Sequence, residues 1–171
     1  MILKEQILKE NSKSNTIEIA NYIGADPKKF QDLMSLFLGN DYRVTQRASA
    51  VVGLCASNHP QLITPYLKKI ILNLKRDVNT AVKRNTVRLL QNIDIPASLL
   101  GEAADICFKF LESKQETIAV KAFSMTILAN ICKKEPDLKR ELQILIEDQL
   151  STGSAGFKNR GQKVLKQIAC Y

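Results

Sequence analysis

The chain contains no tryptophan, and aromatic residues make up only 6% of its 171 positions. Glycine and proline are also sparse, with seven and five copies, and His59 is the only histidine. Sheets are enriched in aromatic and β-branched residues, whereas leucine, alanine and lysine favour helices. Because the chain is rich in leucine, isoleucine, alanine and lysine and has no strand pattern, we expect an all-α fold.

Motifs of catalysis and of metal binding are missing as well. Cys55, Cys107, Cys132 and Cys170 lie far apart with no CxxC pair, and scattered cysteines with one histidine make a poor metal site. No GxSxG nucleophile motif and no phosphate-binding loop are present. We therefore expect a protein that is not an enzyme and that has no cofactor and no metal. The cysteines are expected to be core or near-core thiols.

Long apolar runs are absent too. No stretch approaches the roughly 18 residues that a membrane-spanning helix needs. The first residues also lack the basic segment and apolar stretch of a signal peptide. With thiols expected to stay reduced, these features predict a cytoplasmic protein with no membrane association.

The net charge of +8 is unevenly distributed. Residues 41–96 contain nine basic and three acidic residues, a net charge of +6. Residues 97–150 contain seven basic and nine acidic residues, whereas residues 151–171 contain four basic residues and no acidic one. The basic character therefore lies in a central block and in the last segment.

The sequence repeats itself at intervals of 36–39 residues. One column of basic residues comprises Arg47, Lys83, Lys121 and Arg160, and apolar residues follow four positions later at Val51, Val87, Met125 and Val164. A second column comprises Phe37, Leu74, Leu111 and Leu150, preceded four positions earlier by Leu33, Ile70, Cys107 and Ile146. Two columns with nearly the same period indicate a stacked helical array, because one such unit cannot bury its apolar face alone.

Helix signals divide the chain into five helix pairs. An irregular first pair, expected at about 2–9 and 16–23, suits an N-terminal capping unit. The first helices of the later pairs are predicted to begin near 27, 60–65, 96 and 136, where prolines occur. The second helices are predicted at about 42–57, 78–93, 116–134 and 155–169. The expected N-caps of these second helices are Asp41, Asp77, Gln115 with Ser113 nearby, and Ser154. We interpret residues 1–171 as a single domain, with a cap at 1–25 and four repeats at 26–170.

This pattern resembles HEAT repeats, with armadillo repeats as close relatives. The family pattern has a proline near the start of the first helix, an Asp in the turn, and an apolar–basic pair early in the second helix. Asp77 with Val82-Lys83 matches it best, whereas the third and fourth repeats depart from it at Gln115 and at Asn159-Arg160. The resemblance implies a right-handed α-α superhelix, a HEAT- or armadillo-like solenoid of about five antiparallel helix pairs. It also implies that the second helices line a concave binding face.

Basic residues on or near the second helices are the candidate binding site. They are Arg43, Arg47, Lys83, Arg84, Arg88, Lys121, Arg160 and Lys163. The resemblance implies a competing interpretation, in which the basic column forms a polar ladder with the turn aspartates between repeats.

We expect a non-catalytic scaffold or adaptor that binds an acidic partner protein. The alternative is a HEAT-like protein that binds nucleic acid through a basic stripe. Some HEAT-like proteins are DNA glycosylases that depend on tryptophan and a carboxylate, and a chain without tryptophan fits that activity poorly.

Overall fold

The computed structural model describes residues 2–171 and divides the chain into two compact units, residues 1–89 and 90–171. The described residues form ten α-helices and no strand, as predicted. They are arranged as five consecutive helix pairs of the HEAT type. None of these helices is long and apolar enough to cross a membrane.

The first unit contains three helix pairs. Its helices are α1 (Leu3–Lys9), α2 (Lys13–Ile23), α3 (Pro27–Phe37), α4 (Tyr42–Asn58), α5 (Leu67–Asn73) and α6 (Thr80–Leu90). Two 3-10 turns, Pro60–Leu62 and Thr64–Tyr66, precede α5, so both prolines predicted to open this repeat begin a helical turn. Helix α4 packs against α1, α2 and α3. The second helices α2 and α4 are therefore neighbours within one layer.

The second unit contains two helix pairs. Its helices are α7 (Ala97–Glu112), α8 (Ile118–Cys132), α9 (Lys139–Leu150) and α10 (Ala155–Ile168), with a 3-10 turn at Pro136–Leu138 before α9. Helix α8 packs against α7, α9 and α10. As in the first unit, the second helices of consecutive pairs lie side by side. The predicted boundaries of the helices in the last two repeats are correct to within three residues.

Side-chain caps fix the starts of several helices. Asp26 accepts hydrogen bonds from the N–H groups of Lys28 and Lys29, which explains why α3 begins at Pro27. Asp41 caps α4 in the same way, and Ser154 accepts from Phe157 at the start of α10. These three caps confirm the predicted ones.

Two predicted caps are wrong. Helix α6 is capped by Asn79, whose Oδ1 accepts from the N–H of Val82 at 2.9 Å, because the turn after α5 extends two residues beyond Asp77. Helix α8 is capped by Thr117, whose Oγ1 accepts from Val120, and not by Gln115. In both repeats the turn is longer than the first one, so a constant period places the cap too early.

The repeat columns form the core. Within residues 2–171, every apolar member of the two columns is buried except Leu150, which is only half-buried. Leu74, Leu90, Leu111 and Leu128 are no more than 4% exposed. The predicted burial of these four leucines is therefore confirmed, and the helical register inferred from the periodicity is correct.

Side chains that reach back by about one repeat join neighbouring helix pairs. Arg47 donates to the carbonyl of Leu8, 39 residues earlier, and Arg76 donates to the carbonyl of Leu38, 38 residues earlier. In the second unit, Asn130 donates to the carbonyl of Gln91, 39 residues earlier. Polar side chains therefore satisfy main-chain carbonyls that the ends of the preceding pair leave open.

Candidate functional site

Helices α4 and α6 lie side by side in a fixed register in the first unit. The side-chain amide of Asn79 donates to Thr45 Oγ1 at 3.3 Å, and that of Asn85 donates to Ser49 Oγ at 2.7 Å. Both bonds join residues 34 or 36 positions apart, so the two helices run in the same direction. Their outer faces therefore form one continuous surface, the α4–α6 surface.

The charge of this surface is of one sign. The two helices contain five basic residues and no acidic one. The side chains of Arg43, Arg84 and Arg88 are exposed, whereas those of Arg47 and Lys83 are half-buried. The exposed aromatic ring of Tyr42, at 66%, lies at the start of α4. The α4–α6 surface thus brings together four of the predicted site residues, Arg43, Lys83, Arg84 and Arg88.

Arg47 has a different structural position. Its Nη1 donates to the carbonyls of Ile7 at 3.3 Å and Leu8 at 2.8 Å, in the last turn of α1. Asp41, the turn aspartate of the same repeat, accepts from main-chain N–H groups at the start of α4. The contact between neighbouring repeats therefore joins an arginine to helix-end carbonyls, and Asp41 serves as the cap of its own helix.

A narrow groove between α4 and α6 is the feature that the sequence analysis missed. Its walls include Ser49 and Gly53 from α4, and Asn85, Thr86 and Leu89 from α6. Phe37 and Ile70 close its base, and the exposed Arg84 and Arg88 follow on the outer side of α6. A glycine within a helix was the only signal in the sequence that could have located this groove.

Lys121 and Arg160 hold the second unit together. Lys121 Nζ donates to Gln149 Oε1 at 2.7 Å, and the amide of Gln149 donates onward to the carbonyl of Leu111 at 3.1 Å. Partial burial lowers the pKa of Lys121, and the nearby carboxylate of Glu116 opposes this shift. Arg160 donates to the hydroxyl of Thr126. Both side chains therefore have hydrogen-bonding partners on other helices of their own unit.

Lys163 lies elsewhere on the second unit. Its side chain is exposed on α10, as is that of Lys166 one turn later. The basic residues of this unit are thus of two kinds: Lys121 and Arg160 bond to neighbouring helices, whereas Lys163 is presented to solvent.

Groups that could support metal or thiol chemistry are not assembled. Within residues 2–171, no three His, Cys, Asp or Glu side chains lie close enough together to hold a metal ion. Cys55, Cys107 and Cys132 are buried free thiols, and Cys170 is exposed. Burial raises the pKa of Cys55 to about 11 and that of Cys107 to about 12, so both thiols stay protonated at neutral pH.

The comparison with protein families agrees with this architecture. A family model described as a HEAT repeat domain matches residues 3–168, from α1 to the last residue of α10. The chain belongs to the HEAT-repeat family. No curated protein and no solved structure gave a significant match. The HEAT-repeat match includes the first helix pair, α1 and α2, which lacks the repeat columns.

Proposed function

We propose that this HEAT-repeat protein is a non-catalytic scaffold that binds an acidic partner protein on the α4–α6 surface. One observation carries the proposal: two adjacent second helices present five basic residues and no acidic residue. A patch of one sign raises the local concentration of an oppositely charged partner and steers its approach. The proposal rests on Arg43, Arg84 and Arg88, whose side chains are exposed.

A protein partner suits this surface better than a nucleic acid. Proteins that bind single strands stack the bases on aromatic side chains, and Tyr42 is the only aromatic residue in α4 and α6. Aromatic and arginine side chains are also typical anchors of protein interfaces. The combination of Tyr42 with exposed arginines therefore favours an acidic protein surface, and nucleic-acid binding is an outcome that the experiment distinguishes.

The test is a paired charge reversal. The Arg84→Glu/Arg88→Glu variant should lose binding to acidic proteins captured from a cell extract by at least about tenfold. Stability should change by no more than about 0.5 kcal/mol, since both side chains are exposed. Affinity for each captured protein is measured by titration calorimetry, and stability by urea unfolding.

The control changes the net charge by the same amount at another place. Lys68 and Lys69 are exposed neighbours on α5, which is a first helix. The Lys68→Glu/Lys69→Glu variant should retain binding. Equal affinity of the arginine variant and the parent would refute the proposal. Binding that is lost in excess heparin or random duplex DNA, with a linear fall of log affinity against log salt, would assign the surface to nucleic acid.

A further inference from the structure

Gly53 lies in the interior of α4, although the fold does not require a glycine there. Glycine within a helix is destabilising relative to alanine. A Cβ atom built on Gly53 would meet no other atom of the described chain within 4 Å. At Gly161 in α10 the same atom would lie 2.9 Å from Ile146 Cγ2, so the fold itself demands a glycine at that position. Gly53 instead leaves an open position on the wall of the α4–α6 groove.

Thr86 provides a second, independent observation in the same groove. Its side chain is only 3% exposed, and Oγ1 has no hydrogen-bond partner among residues 2–171. Buried hydroxyl groups in native proteins nearly always have a partner, because an unsatisfied one is costly. Since Thr86 lines the groove, a group that enters the groove can provide the missing hydrogen bond.

Arg84 and Arg88 define the spacing of charges that the groove can receive. They are four residues apart on α6, and a rise of 1.5 Å per residue separates them by about 6 Å along the helix. Alternate residues of an extended peptide are about 6.6 Å apart and point to the same side. Two carboxylates at alternate positions of an extended chain therefore match the two guanidinium groups.

We propose that the groove between α4 and α6 binds an extended, acidic peptide segment of the partner. Its main chain passes over Gly53, where a side chain would obstruct it, and one of its polar groups hydrogen-bonds to Thr86. Carboxylates at alternate positions pair with Arg84 and Arg88. An extended segment suits the groove because its main-chain groups are unpaired, whereas a helix has already paired its own. This inference rests on the proposed function and specifies the form of the ligand.

Two labelled peptides test the spacing. One is a fluorescein-labelled peptide with five glutamates alternating with serines, and the other has the same five glutamates at every third position. In fluorescence anisotropy at low salt, the alternating peptide should bind at least about fivefold more tightly. In nuclear magnetic resonance spectra it should shift the amide signals of Gly53, Asn85 and Thr86. Equal affinities, or the absence of saturable binding, would overturn the inference.

Two conservative variants test the groove itself. Gly53→Ala places a methyl group in the open position, and Thr86→Val removes the unpaired hydroxyl while keeping the shape of the side chain. Both should fold with a melting temperature at least equal to that of the parent, and each should weaken the alternating peptide at least about fivefold. The matched control is Gly101→Ala in α7, where a Cβ also meets no atom within 4 Å. It should gain stability similarly and bind as the parent does.

The same variants separate the two proposals. If Arg84→Glu/Arg88→Glu loses the captured partner while Gly53→Ala and Thr86→Val retain it and the peptide, the surface binds proteins but the groove is not the site. If the double arginine variant keeps the partner, the proposed function itself fails. Weakening of the peptide by all three variants, with Gly101→Ala unchanged, supports both.

Discussion

At the scale of single residues, the burial of a side chain decides its chemistry. Cys107 lies in α7 and is fully enclosed, with its thiol hydrogen-bonded to the side chain of Ser124 in α8. Removal from water disfavours the charged thiolate and raises the pKa of Cys107 to about 12, and the bond to Ser124 offsets only part of that rise. Because the thiolate is the reactive form, Cys107 is inert. Cys170, by contrast, is exposed.

We therefore expect one reactive thiol in the folded protein. At pH 8, iodoacetamide should modify Cys170 alone, and all four cysteines should react in 6 M guanidinium chloride. Mass spectrometry of tryptic peptides measures the sites. Substantial native labelling of Cys55 or Cys107 would contradict the burial described here.

The same shifts give a sign to the dependence of stability on pH. Burial raises the pKa of Cys55 from 9.0 to about 11, so the folded state favours the neutral thiol. This contribution is complete below pH 9 and declines as pH rises from about 9 to 11, where the unfolded chain releases a proton that the folded chain retains. Urea unfolding should show lower stability at pH 10 than at pH 8.

At the scale of elements, short helices depend on side chains from their neighbours. Helix α1 has only seven residues, and isolated helices of this length are marginal in water. Ile7 is its only buried residue, and no side chain caps its N-terminus. The guanidinium of Arg47 supplies a partner for carbonyls in its last turn, where positive charge also opposes the helix dipole.

Removing that guanidinium should loosen α1 first. We expect Arg47→Ala to lower the free energy of unfolding by about 1–2 kcal/mol, because a half-buried, charged hydrogen-bond donor is lost. Hydrogen exchange should accelerate most in residues 3–9. Arg43→Ala is the control, since Arg43 is exposed on the same helix and should change stability by less than about 0.5 kcal/mol. Unchanged exchange in α1 would show that the hydrogen bonds of Arg47 contribute nothing to it.

At the scale of the whole molecule, the repeat columns run through both units. Leu74 belongs to the first unit and Leu111 to the second, and they occupy the same position in consecutive repeats. Leu74 is 4% exposed and Leu111 is fully buried. Leu150, the next member of the column, is half-buried at the end of α9. One position thus has the same packing role in two units and a weaker one in the last repeat.

The column predicts a graded series of stability losses. Leu74→Ala and Leu111→Ala should each cost about 2–5 kcal/mol, the range for large-to-small changes in a core. Leu150→Ala should cost clearly less, since part of its side chain already contacts water. Chemical unfolding monitored by circular dichroism measures all three. A loss below about 0.5 kcal/mol at Leu111 would place it at the surface and contradict the register.

The local pattern of the sequence determined the helices. Apolar spacing and the caps at Asp26, Asp41 and Ser154 are local signals, because a helix is stabilised by contacts between residues three and four apart. The same signals located the two core columns and the HEAT-repeat family. They misplaced the caps of α6 and α8, since the length of a turn is not periodic.

Only the tertiary structure separated the basic residues by role. In the sequence, Arg47, Arg84 and Arg160 are alike, because each lies on a second helix and near or in the basic column. Folding places Arg47 against the carbonyls of α1 and Arg160 against Thr126, while Arg84 remains exposed. The groove at Gly53 and Thr86 is likewise formed by residues more than 30 positions apart. No local pattern encodes such contacts, because they depend on how helices distant in the chain pack together.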